Sequence, residues 1–112
     1  MSAKVEIATE MKVRKHIETA LEQLKVSFSA ESDSKIKVND GCSYRQTYLQ
    51  QKGDNWTMSG ESYAVKNLKN KLLQEYARQV TIEDAAMRGH SIVSEETLND
   101  GTIKMVLTCH VA

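Results

Sequence analysis

Apolar and polar positions alternate at the start of the chain. Val5 and Ile7 interleave with Lys4 and Glu6, the period of a half-buried strand over residues 4–8. The period then becomes helical. Val13, Ile17, Ala20, Leu21 and Leu24 form one stripe, with Arg14, Lys15, Glu18, Glu22 and Lys25 opposite. This predicts a helix over 10–24, with Thr9 as its cap. Alternation returns with Val26, Phe28 and Ala30, then with Ile36 and Val38 after an ESDS turn. An extended run follows, in which Cys42, Tyr44 and Tyr48 share one face and Arg45, Thr47 and Leu49 the other. A QKGDN turn, with Gly53 suited to positive φ, leads to a strand presenting Trp56 and Met58 together.

From residue 64 to 88 the pattern predicts a long helix. Val65, Leu68, Leu72, Tyr76, Val80 and Met87 share a face, with Leu73 and Ala86 at its edges. Ile82 falls well off that stripe, toward solvent. Gly89 is placed to end the helix. Residues 90–97 and 102–110 then form a closing hairpin, with Ile103, Met105, Leu107 and Cys109 alternating. The order β-α-β-β-β-β-α-β-β predicts an α+β fold, a mainly antiparallel sheet with two helices packed on one face. The 112 residues fit a single globular domain over 1–112.

Asn-Asp-Gly occurs twice, at residues 39–41 and 99–101. Asn and Asp tolerate left-handed backbone and Gly adopts it freely, so turn chemistry explains both. The surroundings differ too much for a repeat. A calcium loop is excluded, because its acidic ligands at fixed spacing are missing.

Composition narrows the function classes. Fifteen basic and fifteen acidic residues give zero formal charge, hence no global field for nucleic acid or an anionic membrane. No apolar run reaches the length of a membrane span, and the N-terminus lacks the apolar stretch of a secretory signal. Only Cys42 and Cys109 are present, which suggests reduced thiols and a cytoplasmic protein.

A more specific signal lies in residues 68–106. Its elements are a helix bearing Gln74, Tyr76 and Ala77, then Gly89, and a strand with Val93, Glu95 and Glu96. Asp100, Gly101, Thr102, Ile103 and Lys104 follow. This pattern resembles a small family of unknown function found in cyanobacteria and algal plastids. The starting MSAKVEIATEM and the helix ending ALEQL resemble it as well. The chain departs from the pattern across 31–62 and in its last strand, where Cys109-His110 replaces a basic and aromatic pair. The resemblance implies a fold and no activity. It implies association with an AAA-type ATPase, and the plastid stroma for a plastid-encoded member.

Chemistry-bearing residues are few. Cys109 and His110, with Cys42, His16 or His90, supply zinc-ligand types but no ligand spacing. Adjacent strand residues point to opposite faces, so Cys109 and His110 do not form a nucleophilic couple. The same rule lets only one of Glu95 and Glu96 face the helices. Lys66, Lys69, Lys71 and Arg78, with Lys12, Arg14 and Lys15, make a candidate basic patch without any RNA-binding or phosphate-loop motif. Ile82, Tyr44, Tyr48 and Trp56 make a candidate partner surface. If both sheet faces are apolar, the face away from the helices joins a second copy. The expected function is a non-enzymatic interaction protein without cofactor. It would act as a homo-oligomer or as a small subunit beside a larger protein partner, an AAA-type ATPase among the candidates. The alternatives are weak nucleic-acid binding through the basic helix faces, and an enzyme whose site assembles only in three dimensions.

Overall fold

The computed structural model describes residues 4–39 and 46–109. The elements follow the expected order: β1 (Lys4–Ala8), α1 (Arg14–Gln23), β2 (Ser27–Ser32), β3 (Lys35–Asn39), β4 (Thr47–Lys52), β5 (Asn55–Glu61), α2 (Ser62–Met87), β6 (His90–Thr97) and β7 (Ile103–Cys109). Five strands form an antiparallel sheet in the order β1-β5-β4-β3-β2, and β6 and β7 form a separate two-stranded ribbon. The fold is α+β, as the periodicities imply.

The core lies between the five-stranded sheet and the two helices. Ile36, Leu49 and Met58 lie side by side on β3, β4 and β5 and are fully buried. Ile17, Ala20 and Leu21 of α1, and Val65 and Leu72 of α2, close over them. Trp56 is 1% exposed, with the Arg14 guanidinium 5.9 Å from the ring centroid.

Helix α1 begins at Arg14, four residues later than the pattern predicts. Thr9 is not its cap. Thr9 Oγ1 donates to the Trp56 carbonyl (2.6 Å) and accepts the Met11 N–H, and Met11 O accepts the Trp56 N–H, so residues 9–11 continue along β5 before the helix starts. No side chain of the N-cap residue Val13 serves as cap. Instead the Tyr76 hydroxyl oxygen of α2 accepts the N–H groups of Lys12 and Val13, at 3.0 and 2.9 Å. At the other end Lys25 takes φ +60, with its N–H on Glu22 O and Val26 N–H on Leu21 O. That is a Schellman motif with lysine in the position glycine usually holds.

Gly60 has φ +146, a conformation L side chains rarely adopt. A Cβ there would lie 2.6 Å from the Gln46 carbonyl oxygen, so glycine is what lets β4 approach this end of β5. Helix α2 leaves β5 directly and runs back over the sheet, ending at Gly89 with φ +74. Its last turns depart from the expected stripe. Ala85 is buried, whereas Met87 is 79% exposed and Val80 39%.

Candidate functional site on the outer side of α2

Three sides of α2 are occupied differently. Val65 and Leu72 face the core, and the β6–β7 ribbon lies against another side, where Glu95 meets Arg78. Between these lies a ridge formed by Ala77, Val80 and Thr81, with Ala77 exposed. A cavity of about 650 Å³ separates the ridge from β1 and the loop after it, and Ile7, Met11 and Leu73 line it together with Val80 of the ridge. A second, of about 520 Å³, separates the ridge from β7 and combines Asn70, Gln74 and Thr102 with Ile103 and Met105. The two share Ala77 and Thr81.

One ion-pair cluster holds the ribbon beside this surface. The Arg78 guanidinium donates to both carboxylate oxygens of Glu95 and, at 3.1 Å, to Glu75. The hydrogen bonds from Arg78 hold the Glu95 carboxyl below the usual range, and those bonds in turn raise the guanidinium pKa further. Glu96 lies on the opposite ribbon face, paired with Lys104 across the strands.

The ribbon's turn bears out the turn-chemistry reading of residues 99–101. Gly101 N–H bonds Leu98 O, Leu98 N–H bonds Thr102 O, and Gly101 takes φ +89. This is a type I turn closed by a left-handed glycine. The Asp100 carboxylate accepts the Thr102 N–H at 2.9 Å, which holds its pKa below the usual range. The triplet at 39–41 lies largely outside the described residues.

A second cluster went unread in the sequence. His16 Nε2 sits 2.8 Å from Glu83 Oε2, and the imidazole meets Tyr76 edge-on, with ring centroids 5.9 Å apart. His16 was a candidate metal ligand; here it ties α1 to α2. It sits one residue from Ile17, at the margin of the stripe, and its pairing residues lie 60 and more positions away. No group of three or more His, Cys, Asp or Glu positioned to hold a metal occurs among the described residues.

The partner-surface residues do not come together. Trp56 is in the core and offers no surface, because its strand face turns toward the helices. Tyr48 is half-buried on the opposite sheet face, with Lys35 Nζ 4.6 Å from its ring centroid. Tyr44 lies outside the described residues, as do Cys42 and His110. Ile82 is half-buried rather than solvent-facing, since the ribbon packs on the side of α2 that the stripe left open. The described part of the sheet face away from the helices is polar: Glu6, Lys37, Gln50, Lys52 and Ser59 surround Tyr48. Among the described residues, then, only one sheet face is apolar.

Of the basic patch, Lys66 and Lys71 are exposed and Lys69 is half-buried, and none of the three forms an ion pair with a described residue. Arg78 is neutralised by Glu75 and Glu95, and Arg14 by Glu18.

The architecture is that of a small α+β domain: an antiparallel sheet under two helices, extended by a ribbon on the far side of the second. The chain belongs to the family described as protein of unknown function (DUF1257), whose model matches residues 36–106. The match takes in 36–62, part of the stretch where departure was expected, and ends before Cys109. It covers β3 to β5, α2, β6 and the first half of β7, but not β1, α1 or β2. No curated protein and no solved structure matches the chain. No described helix is long and apolar enough to cross a membrane.

Proposed function

We propose that this chain is a non-enzymatic interaction protein, working as a homo-oligomer or as a small subunit of a larger partner. The observation that carries this reading is the ridge of Ala77, Val80 and Thr81, which stands between two neighbouring cavities. An exposed valine beside an alanine, flanked by Leu73, Ile7 and Met105, is a surface that gains by being covered. The resemblance to proteins of cyanobacteria and algal plastids points to an AAA-type ATPase as the larger partner. The test is gentle purification from the native host, with the wild-type chain and with Val80→Glu. A stoichiometric assembly, homomeric or mixed, is expected for the wild type and its loss for the variant. A wild-type chain that elutes alone as a monomer would overturn the reading.

A second reading has its own observation. Lys66, Lys69 and Lys71 cluster on the first half of α2 without ion-pair partners among the described residues. Weak nucleic-acid binding there would fall steeply as salt rises. Absence of a fluorescence anisotropy change with single-stranded RNA at low salt removes it.

A further inference from the structure

We propose that the open edge of β7 and the adjoining face of α2 form a two-fold interface with a second copy of this chain, β7 pairing antiparallel with β7 about Met105. This rests on the interaction-protein reading and names the partner.

The ribbon's two edges are built differently. The β6 edge carries a bulge between Ile92 and Ser94, and Glu95 and Glu96. Bulges and charges of this kind keep an edge from pairing. In the described part of β7 there is no bulge and one charge, Lys104, while Val106 is 42% exposed. The Leu98 N–H to Thr102 O bond fixes the alternation along β7. Thr102 turns its C=O toward β6, and Lys104 and Val106 turn both their N–H and C=O groups that way, so those of Ile103 and Met105 point out of the ribbon. A two-stranded ribbon is marginal alone, and a second ribbon at this edge makes four strands.

Charge selects the register. Pairing centred on Lys104 sets two lysines directly opposite, which is destabilising. Centring on Met105 sets Lys104 against Val106 and pairs the outward groups of Met105 with each other.

The helices fit the same axis. Strands lie about 4.8 Å apart and packed helices about 8–10 Å, so one helix spans two strands. Joining the β7 edges therefore brings the two α2 helices together along the face beside β7, where Ala77 and Thr81 flank Met105. Their small side chains permit that approach.

The charge order of α2 gives the independent argument. Lys66, Lys69 and Lys71 precede Glu75 with no acid among them, and Glu83 and Asp84 follow Arg78. There is no acid in the first turn and no base in the last. This order opposes the helix dipole, so a lone helix gains nothing from it. Glu83 is taken by His16 of α1, so in an antiparallel pair the lysine-bearing half of each helix meets Asp84 of the other, which is held at home only by the exposed Arg88 at 3.3 Å.

Sedimentation equilibrium of the full chain at micromolar concentration is expected to give twice the 12.6 kDa chain mass. Met105→Pro removes the outward N–H, which an edge strand tolerates and a central strand does not. It is expected to give a monomer with unchanged circular dichroism, as is Ala77→Arg. With Cys42 and Cys109 replaced by Ser, Met105→Cys is expected to cross-link to itself with a short bis-maleimide, because paired Cα atoms lie about 5.5 Å apart. Ser29→Cys, on the far edge of the five-stranded sheet, is expected not to. A monomeric mass throughout overturns the proposal, and so does a dimer indifferent to both variants or one linked through Ser29→Cys. A monomer that still joins a different protein through Val80 defeats the second-copy proposal and leaves the interaction reading standing.

Discussion

The five-stranded sheet and the β6–β7 ribbon are both antiparallel, yet they are held by different physics. In the sheet, Ile36, Leu49 and Met58 from three neighbouring strands are fully buried under two helices. In the ribbon, Ile103 and Met105 are only half-buried, Val106 is exposed, and the contact with α2 is reinforced by the Arg78 cluster. Hydrophobic burial dominates the first region. The second depends on a turn, an exposed ion pair and a few apolar contacts, so it opens at lower free energy than the sheet. Under the proposed interaction role, a segment so weakly held at home has stability to gain from a partner.

The largest effect expected from this contrast is on the sheet side. Trp56→Ala removes a side chain 1% exposed and leaves a cavity, at a cost of about 3–5 kcal/mol. Urea denaturation should show the loss in every probe at once. Trp56→Phe should cost much less, because Trp56 Nε1 has no hydrogen-bond partner among the described residues and none is lost. If Trp56→Ala destabilised only the ribbon, the division between the regions would be wrong.

Gly60→Ala comes next. The added Cβ meets the Gln46 backbone oxygen at 2.6 Å, and φ +146 is strained for any L residue. Relieving both must separate β4 from β5, which costs about 2–3 kcal/mol. Thermal unfolding should reveal it, with the ribbon's local exchange unchanged once global stability is allowed for.

Tyr76→Phe tests the joint between α1 and α2. It deletes one hydroxyl that accepts two backbone N–H groups, while the ring keeps its place beside His16. The expected loss is about 1 kcal/mol, with faster amide exchange concentrated at Lys12 and Val13. A neutral result would show that water replaces the hydroxyl at this half-exposed site.

Much of the sheet side was legible because its periods were clean. Val5 and Ile7, Ile36 and Val38, and Trp56 and Met58 each declared a strand face. The Asn-Asp-Gly turn at 99–101 declared itself through residue chemistry. Three features were not legible, for one shared reason: each depends on a partner far away in sequence. Thr9 looks like a helix cap until Trp56 claims its hydroxyl. Ile82 looks exposed until the ribbon folds back over α2. His16 is read as a ligand only while Glu83 and Tyr76 are unknown neighbours. The ridge of α2 was hidden similarly, since Val80 fits the apolar stripe that elsewhere on the helix faces the core.

The smallest expected effect bears most directly on the comparison. Arg78 holds the Glu95 carboxyl below the usual carboxylate range. A depressed folded-state pKa means the pair's contribution is fully present above the unfolded carboxylate value. It is lost as pH falls through the lowered folded value. The pair is partly exposed, so screening limits its worth to about 0.5–1 kcal/mol. Below neutral pH, then, the amides of β6 and β7 should lose protection as the solution passes below the ordinary carboxylate range, before β4 and β5 change. Glu95→Gln should remove that pH step from the ribbon while leaving the melting of the sheet nearly unaltered. Hydrogen exchange at several pH values separates the two regions residue by residue. A pH step that reaches β4 and β5 together with the ribbon, or one that survives Glu95→Gln, would show that the ribbon is fastened by the core after all.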